Sequence, residues 1–242
     1  MTSLLRFTER HASVAPRTAL FVIAALVWLL VGNASAQAGP ATETVRATFS
    51  EANKIITDPA TADRPRERIA AIRMLFSRIF DFRGASERVL GPQWYARTPA
   101  EQRDFTFVFG DFVQRGFVYW LASVAEVNGN GGGVTVEYLN ESLDRDRVAV
   151  HTTILARGGR LVRLDHEMVY QGKRWMVRDL TIEGISLIAN YRAQFDRVMR
   201  SSSYHELIAR MRERVASELP RPAATGPEAL RGDVFKMQIE TR

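Results

Sequence analysis

Residues 147–182 read RVAVHTTILARGGRLVRLDHEMVYQGKRWMVRDLTI, and this stretch decides the class of fold. Apolar and polar residues alternate along it with a period of two, which is typical of strands that bury one face. Glycines at 158–159 and at 172 interrupt the alternation where tight turns are expected. The stretch therefore predicts three consecutive antiparallel strands, Arg147–Ala156, Leu161–Gln171 and Arg174–Ile182.

A fourth strand is predicted just before these three, over Val134–Asn140. It follows the glycine-rich segment 129–133, which we interpret as a flexible connector. A phosphate-binding loop would need a helix directly after the glycines, and here a strand follows. The sheet is therefore expected to be a four-stranded antiparallel meander.

Helical periodicity governs the residues on both sides of the predicted sheet. One helix start is especially clear, because Thr98, Pro99 and Glu101 have the pattern of a capping box with proline in the first turn. The predicted helices are Thr44–Thr57, Arg64–Phe80, Ala85–Leu90, Thr98–Val127, Ser186–Arg200 and Tyr204–Glu218. Helices at both ends of a meander indicate an α+β fold, with a possible pocket between the sheet and the helical layer.

The first 36 residues have the pattern of a secretory signal peptide. Arg6, Arg10 and Arg17 precede the apolar run Ala19–Val31, and Ala34–Ala36 offers a cleavage site between small residues. The run has 13 residues, fewer than the roughly 20 that a membrane-spanning helix needs. We expect export, cleavage between Ala36 and Gln37, and a periplasmic location. A retained membrane anchor is the alternative.

Composition narrows the class of protein further. The chain has 242 residues, 46% of them apolar and 25% charged, which suits one sizeable core. It has no cysteine, which excludes disulfides, thiolate metal sites and cysteine nucleophiles. The net charge is +6, and loss of residues 1–36 removes +2 of it and leaves +4. The basic residues are scattered, so no nucleic-acid partner is predicted.

The end of the chain is predicted to lie outside the folded domain. From Leu219 the composition turns to proline, alanine, glycine and arginine, which is typical of a loosely held tail. The expected organisation is a signal peptide over 1–36, one folded domain over 37–219 and a flexible tail over 220–242.

The three histidines of this domain lack the spacing that metal binding requires. His151 and His166 fall in predicted strands and His205 in a predicted helix, with no ligand spacing between them. Asp165 and Glu167 should face away from His166, because neighbours in a strand point to opposite faces. No metal site is expected.

Asp179 is the carboxylate with the strongest catalytic pattern. It is predicted to share a sheet face with Trp175 and Val177, where an apolar pocket would raise its pKa and favour a general base. The alternative is a structural carboxylate that hydrogen-bonds the backbone or pairs with an arginine such as Arg178 or Arg192.

Two stretches of the sequence carry a family resemblance. The first reads LGPQWYARTPAEQRDF at 90–105 and continues as VFGDF at 108–112, and the second reads WMVRDLTIEGISLIANYRAQF at 175–195. Together they resemble the MlaC (toluene-tolerance Ttg2D) family of periplasmic phospholipid-binding proteins. The order of helices, sheet and helices also agrees over roughly residues 43–218. The chain departs from the family at Gly116 and Phe117, where the family often has Thr-Tyr, and in its tail.

The resemblance implies a carrier that catalyses no reaction and needs no cofactor. Such a carrier exchanges glycerophospholipid between an inner-membrane ABC transporter assembly with a lipid-binding ring and an outer-membrane lipoprotein–porin complex, which maintains outer-membrane lipid asymmetry. We expect a monomer.

A carrier also needs apolar side chains beyond those of a minimal core. The roughly 30 methylenes of a diacyl lipid cost on the order of 24 kcal/mol in water, so a dry pocket must replace the bilayer. Tyr191 and Arg192 are expected at the pocket mouth, near the headgroup. The expected pocket lining consists of large apolar residues: Phe105, Phe109, Phe112, Trp120, Met168, Ile182, Ile185, Leu187 and Ile188.

Three alternatives remain at this point. The ligand could be a hopanoid or another lipid carried by the same fold. The chain could instead be a small isomerase or hydrolase on a cone-shaped α+β scaffold, with Asp179 as base and Tyr191 as electrophile. It could also be an interaction module without a pocket.

Overall fold

A computed structural model of the chain describes residues 39–124, 133–144, 147–156 and 159–217. Its α-helices are α1 (Pro40–Thr57), α2 (Pro65–Ile79), α3 (Phe82–Leu90), α4 (Pro92–Tyr95), α5 (Pro99–Val124), α6 (Leu187–Ser201) and α7 (Tyr204–Ala216). Its strands are β1 (Val136–Asp144), β2 (Arg147–Leu155), β3 (Leu161–Gln171), β4 (Arg174–Ile182) and β5 (Ile185–Ser186). The predicted α+β order of helices, sheet and helices is confirmed. The predicted signal peptide, most of the connector 129–133 and the predicted tail over 220–242 lie outside the described residues.

The sheet is an antiparallel meander with its strands in chain order, as predicted, but it has five strands rather than four. Glu183 and Gly184, with φ of 50° and 83°, make a tight turn that returns β5 to β4. A strand of two residues is too short to show any alternation in sequence. Gly172 and Lys173 also have positive φ, as a two-residue hairpin turn requires.

The register between β3 and β4 shifts at an extra residue in β4. Glu167 pairs with Asp179, whereas the next residue, Met168, pairs with Val177, so Arg178 is left without a partner in β3. Such a bulge exchanges the faces of the side chains on its two sides. Asp179 therefore lies on the face opposite Val177, and the prediction that the two share a face is wrong.

One face of the sheet is apolar and is covered by helices. Along β3 the buried residues alternate as predicted, with Val162, Leu164, His166 and Met168 turned inward. Helix α1 lies across β1, β2 and β4, and the residue after α2, Phe80, pairs with Val177 of β4. The sheet and these helices enclose the space in which a ligand could lie.

A block of aromatic rings joins α5 to α6. Phe105, Phe109 and Phe112 of α5 are fully buried and contact Tyr191 and Phe195 of α6. Four of these ring pairs have centroids 5.3–6.1 Å apart in T-shaped contacts. Aromatic side chains contribute much of the energy of a core because each buries a large area. This part of the molecule is a solid core.

The start of α5 forms the capping box that the sequence predicts. The backbone N–H of Glu101 donates to Oγ1 of Thr98 at 3.2 Å, and the backbone N–H of Thr98 donates to the Glu101 carboxylate at 2.8 Å. These reciprocal bonds satisfy two backbone donors at the helix start. The backbone N–H and the hydroxyl of Thr98 both donate to the Glu101 carboxylate, and these two bonds lower the pKa of Glu101.

Truncation of one ring tests how tightly the aromatic block is packed. Phe109→Ala is expected to lower the free energy of unfolding by about 3–5 kcal/mol, because it leaves a void in a solid core. Phe107→Ala on the same helix is the matched control, since Phe107 is 79% exposed and should change stability by less than about 0.5 kcal/mol. Urea unfolding followed by circular dichroism measures both, and equal costs would contradict the assigned packing.

Candidate functional site

A cavity lies between α1, α2, the C-terminal half of α5 and the inner face of the sheet. Its walls are almost entirely apolar, and we refer to it below as the slot. The space between its wall atoms is about 520 Å³, part of it open to solvent, and about 60 Å³ is wide enough for the centre of a water molecule. The slot is therefore narrow. It is lined by Val45, Thr48, Phe49, Ala52, Ile72, Leu75, Phe76, Ile79, Phe117, Leu121, His166, Val177 and Leu180.

The side chains of α1 explain why the slot exists. Val45, Phe49 and Ala52 follow one another at helical spacing and form the predicted apolar stripe of this helix. Ala52 is too small to fill the distance to α2, where it meets Ile72 and Leu75 in a small cluster apart from the main core. Helices α1 and α2 thus contact each other through few large side chains, which leaves space beneath them.

His166 is buried in the wall of the slot, where it is 5% exposed. Its ring meets Phe49 edge-on, with centroids 5.9 Å apart, and its Nε2 lies 3.3 Å from Oγ1 of Thr152. Burial, with a smaller contribution from the neighbouring His151, lowers the pKa of His166 to about 3. The ring is therefore neutral at physiological pH.

Asp179 is buried on the other face of β4, where it holds the start of α6. Its Oδ2 accepts a hydrogen bond from Oγ of Ser186 at 2.5 Å, and its Oδ1 accepts one from the backbone N–H of Ile188 at 3.1 Å. Burial raises the pKa of Asp179, and these two hydrogen bonds partly offset that effect. The structural alternative for Asp179, a hydrogen bond to the backbone, is confirmed.

A serine, a histidine and an aspartate form a hydrogen-bonded line across the open face of the sheet. His151 Nδ1 lies 2.8 Å from Oδ1 of Asp165, and His151 Nε2 lies 2.8 Å from Oγ of Ser142. The predicted orientation is confirmed, since Asp165 faces away from His166. This line is not part of the slot, and its hydrogen bonds link β1, β2 and β3.

The structure places none of the nine predicted lining residues on the slot wall. Eight are buried: three in the aromatic block, the rest on the helices or on the inner face of the sheet, while Ile185 is 39% exposed. Their contact with a ligand stays a prediction. The nine are Phe105, Phe109, Phe112, Trp120, Met168, Ile182, Ile185, Leu187 and Ile188.

The two residues expected at the pocket mouth lie apart from the slot as well. Tyr191 is 1% exposed and sits inside the aromatic block, where burial raises the pKa of its hydroxyl. Arg192 is exposed beside Gly91, whose φ of 53° favours glycine at this position. Helix α6 turns its aromatic side toward α5, and contact of Tyr191 and Arg192 with a headgroup stays a prediction.

The residues that do line the slot come largely from α1 and α2. Their apolar stripes are visible in the sequence, but a stripe looks the same whether it borders a solid core or a cavity. The difference depends on which helix lies opposite each stripe. The periodicity of the sequence therefore cannot distinguish the residues that line the slot from residues of a solid core.

A second feature is an open groove between α2, α3 and α5, referred to below as the basic groove. Four arginines line it, together with one acidic residue, Asp111. Asp111 pairs with two of the four arginines, and the other two are exposed beside Phe107. The groove thus offers an excess of positive charge next to an exposed aromatic ring. The four arginines are Arg73, Arg83, Arg103 and Arg115.

Within the described residues, no group of three or more histidine, aspartate or glutamate side chains could hold a metal ion. None of the helices in these same ranges is long and apolar enough to cross a membrane.

Together, the fold and the slot define an α+β protein with an apolar cavity between its helices and its sheet. The family model described as MlaC protein matches residues 46–213. The chain belongs to the MlaC family, and the resemblance noted in its sequence is confirmed.

Solved structures support the fold. The chain is similar to the phospholipid-binding protein from Ralstonia solanacearum, solved in complex with a phospholipid, with a TM-score of 0.62 and 23% identity. The match covers 74% of this chain and 98% of that one. At this identity the likeness establishes the fold alone. A search of curated proteins finds no match.

The buried neutral histidine should make stability depend on pH. The pKa of His166 falls from about 6.5 to about 3 on folding. Its contribution to the free energy of unfolding is therefore complete above pH 6.5 and is lost as the pH drops toward 3. Over that window the wild type should lose about 1.4 kcal/mol per pH unit more than His166→Phe.

Urea unfolding between pH 4 and pH 7 measures this difference in slope. His205→Gln is the matched control, because His205 is exposed on α7 and its loss should leave the slope unchanged. Parallel slopes for wild type and His166→Phe would show that His166 is not buried in neutral form.

Proposed function

We propose that this protein is a periplasmic carrier that holds the acyl chains of a glycerophospholipid in the slot. The observation that carries the proposal is the apolar wall of the slot, in which Thr48 and His166 are the only polar side chains among the described lining. Membership in the MlaC family supports it, and so does the neighbour of the same fold that was solved with a phospholipid.

The slot must widen before it can hold two acyl chains. A diacyl lipid brings about 30 methylenes, each of which gains about 0.8 kcal/mol on leaving water. The contact between α1 and α2 that this gain would have to open includes the cluster of Ala52, Ile72 and Leu75 and the ion pair of Glu51 with Arg78. We therefore propose that the lipid separates these two helices while the aromatic block between α5 and α6 stays closed.

The headgroup would lie beside Phe49, which lines both the slot and a shallow polar depression. Arg46 and Lys54 border that depression, and the Arg46 guanidinium lies 4.2 Å from the centroid of the Tyr138 ring. Two cations at the edge of an apolar cavity suit a phosphate diester.

We further propose that the protein catalyses no reaction. Both carboxylate oxygens of Asp179 already accept hydrogen bonds that hold α6, and Tyr191 is enclosed by rings. Neither side chain borders the slot. These positions favour a carrier over the isomerase or hydrolase that Asp179 and Tyr191 would serve.

Native mass spectrometry tests the proposed function. The protein is purified from periplasm without detergent, and its bound lipid is then extracted and analysed. A stoichiometric adduct of diacyl glycerophospholipid is expected. A triterpenoid in the extract would identify the ligand as a hopanoid instead. A ligand-free mass together with no lipid uptake from vesicles would overturn the carrier function.

Filling the slot should abolish lipid retention without unfolding the protein. Ala52→Phe places a ring in the slot, so the fraction of lipid-bound protein should fall about tenfold or more. Overpacking costs about 1–3 kcal/mol, and circular dichroism checks that the variant keeps its fold. Ala47→Phe is the matched control on the same helix, because Ala47 is exposed and outside the slot. Equal lipid retention in both variants would show that the acyl chains bind elsewhere.

The location and partners follow from the same proposal. We propose export by the signal peptide over 1–36 with cleavage near Ala36, and monomeric exchange of lipid between the inner-membrane ABC transporter complex and the outer-membrane lipoprotein–porin complex. The basic groove would dock an acidic surface on one of these partners, because two of its arginines have no acidic partner among the described residues.

Charge reversal separates docking from lipid binding. The double variant Arg83→Glu/Arg103→Glu should reduce sedimentation with detergent-free inner- or outer-membrane vesicles about fivefold or more, since docking would rely on charge. Its lipid retention should not change. The control is Arg66→Glu/Arg197→Glu, which makes the same change in net charge at exposed sites outside the groove. Identical sedimentation of both double variants would rule out docking through the groove.

A further inference from the structure

Two polar side chains, Thr48 and His166, stand among the described residues that line the slot. Thr48 commits its hydroxyl to the backbone carbonyl of Thr44 at 2.8 Å. His166 uses Nε2 toward Thr152, and its Nδ1 has no hydrogen bond to any of the described residues. This ring is 5% exposed and forms part of the slot wall. The apolar wall is thus interrupted at one ring nitrogen.

The hydrogen bonds of Thr152 determine which nitrogen of His166 carries the proton. The Thr152 hydroxyl donates its only proton to the carbonyl oxygen of Leu164 at 2.8 Å. Its oxygen can then only accept from His166, so Nε2 must be protonated. A neutral imidazole has one donor and one acceptor, and Nδ1 is therefore left as a bare acceptor.

Water can reach Nδ1 in the ligand-free slot, which is partly open to solvent. An apolar ligand that displaces this water leaves Nδ1 as a bare acceptor, which is costly unless the ligand supplies a donor. Saturated or unsaturated hydrocarbon has no donor to offer. The phosphate and ester groups of a phospholipid are acceptors, and they do not match Nδ1 either. A hydroxyl group on an acyl chain is the simplest lipid group that does.

We propose that the slot selects lipids whose acyl chain carries a hydroxyl group, which donates a hydrogen bond to Nδ1 of His166. This inference rests on the proposed function, since it requires that acyl chains occupy the slot. His166 is then a binding residue that contacts the ligand. Thr152 is a positioning residue, because it fixes the proton on Nε2 and so keeps Nδ1 free to accept.

Competition between matched lipids tests this selection. The ligand-free protein is offered phosphatidylethanolamine with two plain acyl chains together with the same lipid carrying one hydroxyl at carbon 3, 9 or 12 of one chain. Native mass spectrometry reads the ratio of the two complexes. At least one hydroxylated lipid should be preferred about tenfold, the factor that 1.4 kcal/mol of hydrogen bonding supplies.

Two variants assign the preference to the histidine. His166→Phe keeps a ring of similar size without an acceptor, and it should bind both lipids with a ratio near one. Thr152→Val removes the group that fixes the proton on Nε2, so the preference should fall although His166 is still present. A purely structural role of Thr152 would change the affinity for both lipids and leave their ratio intact.

The outcomes of this competition distinguish failure of the hydroxyl preference from failure of the carrier function. Equal binding of plain and hydroxylated lipids by the wild type would overturn the inference and leave the carrier function standing. A preference that persists in His166→Phe would also overturn it, because the hydroxyl would then be read by another residue. Uptake of neither lipid by the wild type would overturn the proposed function instead. Circular dichroism confirms the fold of each variant, and Thr152→Val serves if His166→Phe does not fold.

Discussion

The packing of α5 against α6 is the contact on which the rest of the structure depends. Phe109 and Phe112 interlock with Tyr191 and Phe195, and all four rings are buried. Because α6 follows directly from β4 and β5, this contact joins the long helix to the end of the sheet. Asp179 strengthens the same junction through its hydrogen bonds to Ser186 and Ile188.

The opposite side of the molecule is built differently. There α1 and α2 cover the sheet, Ala52 is the small residue where the two helices meet, and the space left beneath them is the slot. A protein interior is normally packed as densely as an organic crystal, so a cavity of this kind forgoes contact energy. An apolar ligand that enters the slot restores those contacts. The division into a closed aromatic block and an open slot is thus the physical basis of the proposed carrier function.

Much of the fold could be predicted from the sequence, and the predictions that were wrong have identifiable causes. Alternation of period two located β3 and β4 at their observed bounds, because every second side chain must enter one core. Strand β5 was missed because two residues contain no period. Asp179 was assigned to the wrong face because the bulge at Arg178 reverses the alternation, and nothing in the local sequence marks it.

The sequence by itself determined the α+β class, the order of the elements and the family, since local periodicity and motifs are properties of the chain alone. Only the tertiary structure decided which apolar residues enclose a cavity. Phe105, Phe109 and Phe112 of α5 pack in the aromatic block, whereas the described lining of the slot surrounds Phe49 and His166. Contact of those three rings with a ligand stays a prediction. The physical reason is that an empty space depends on how two separate surfaces fit together. A stripe of apolar residues in the sequence describes only one of these two surfaces.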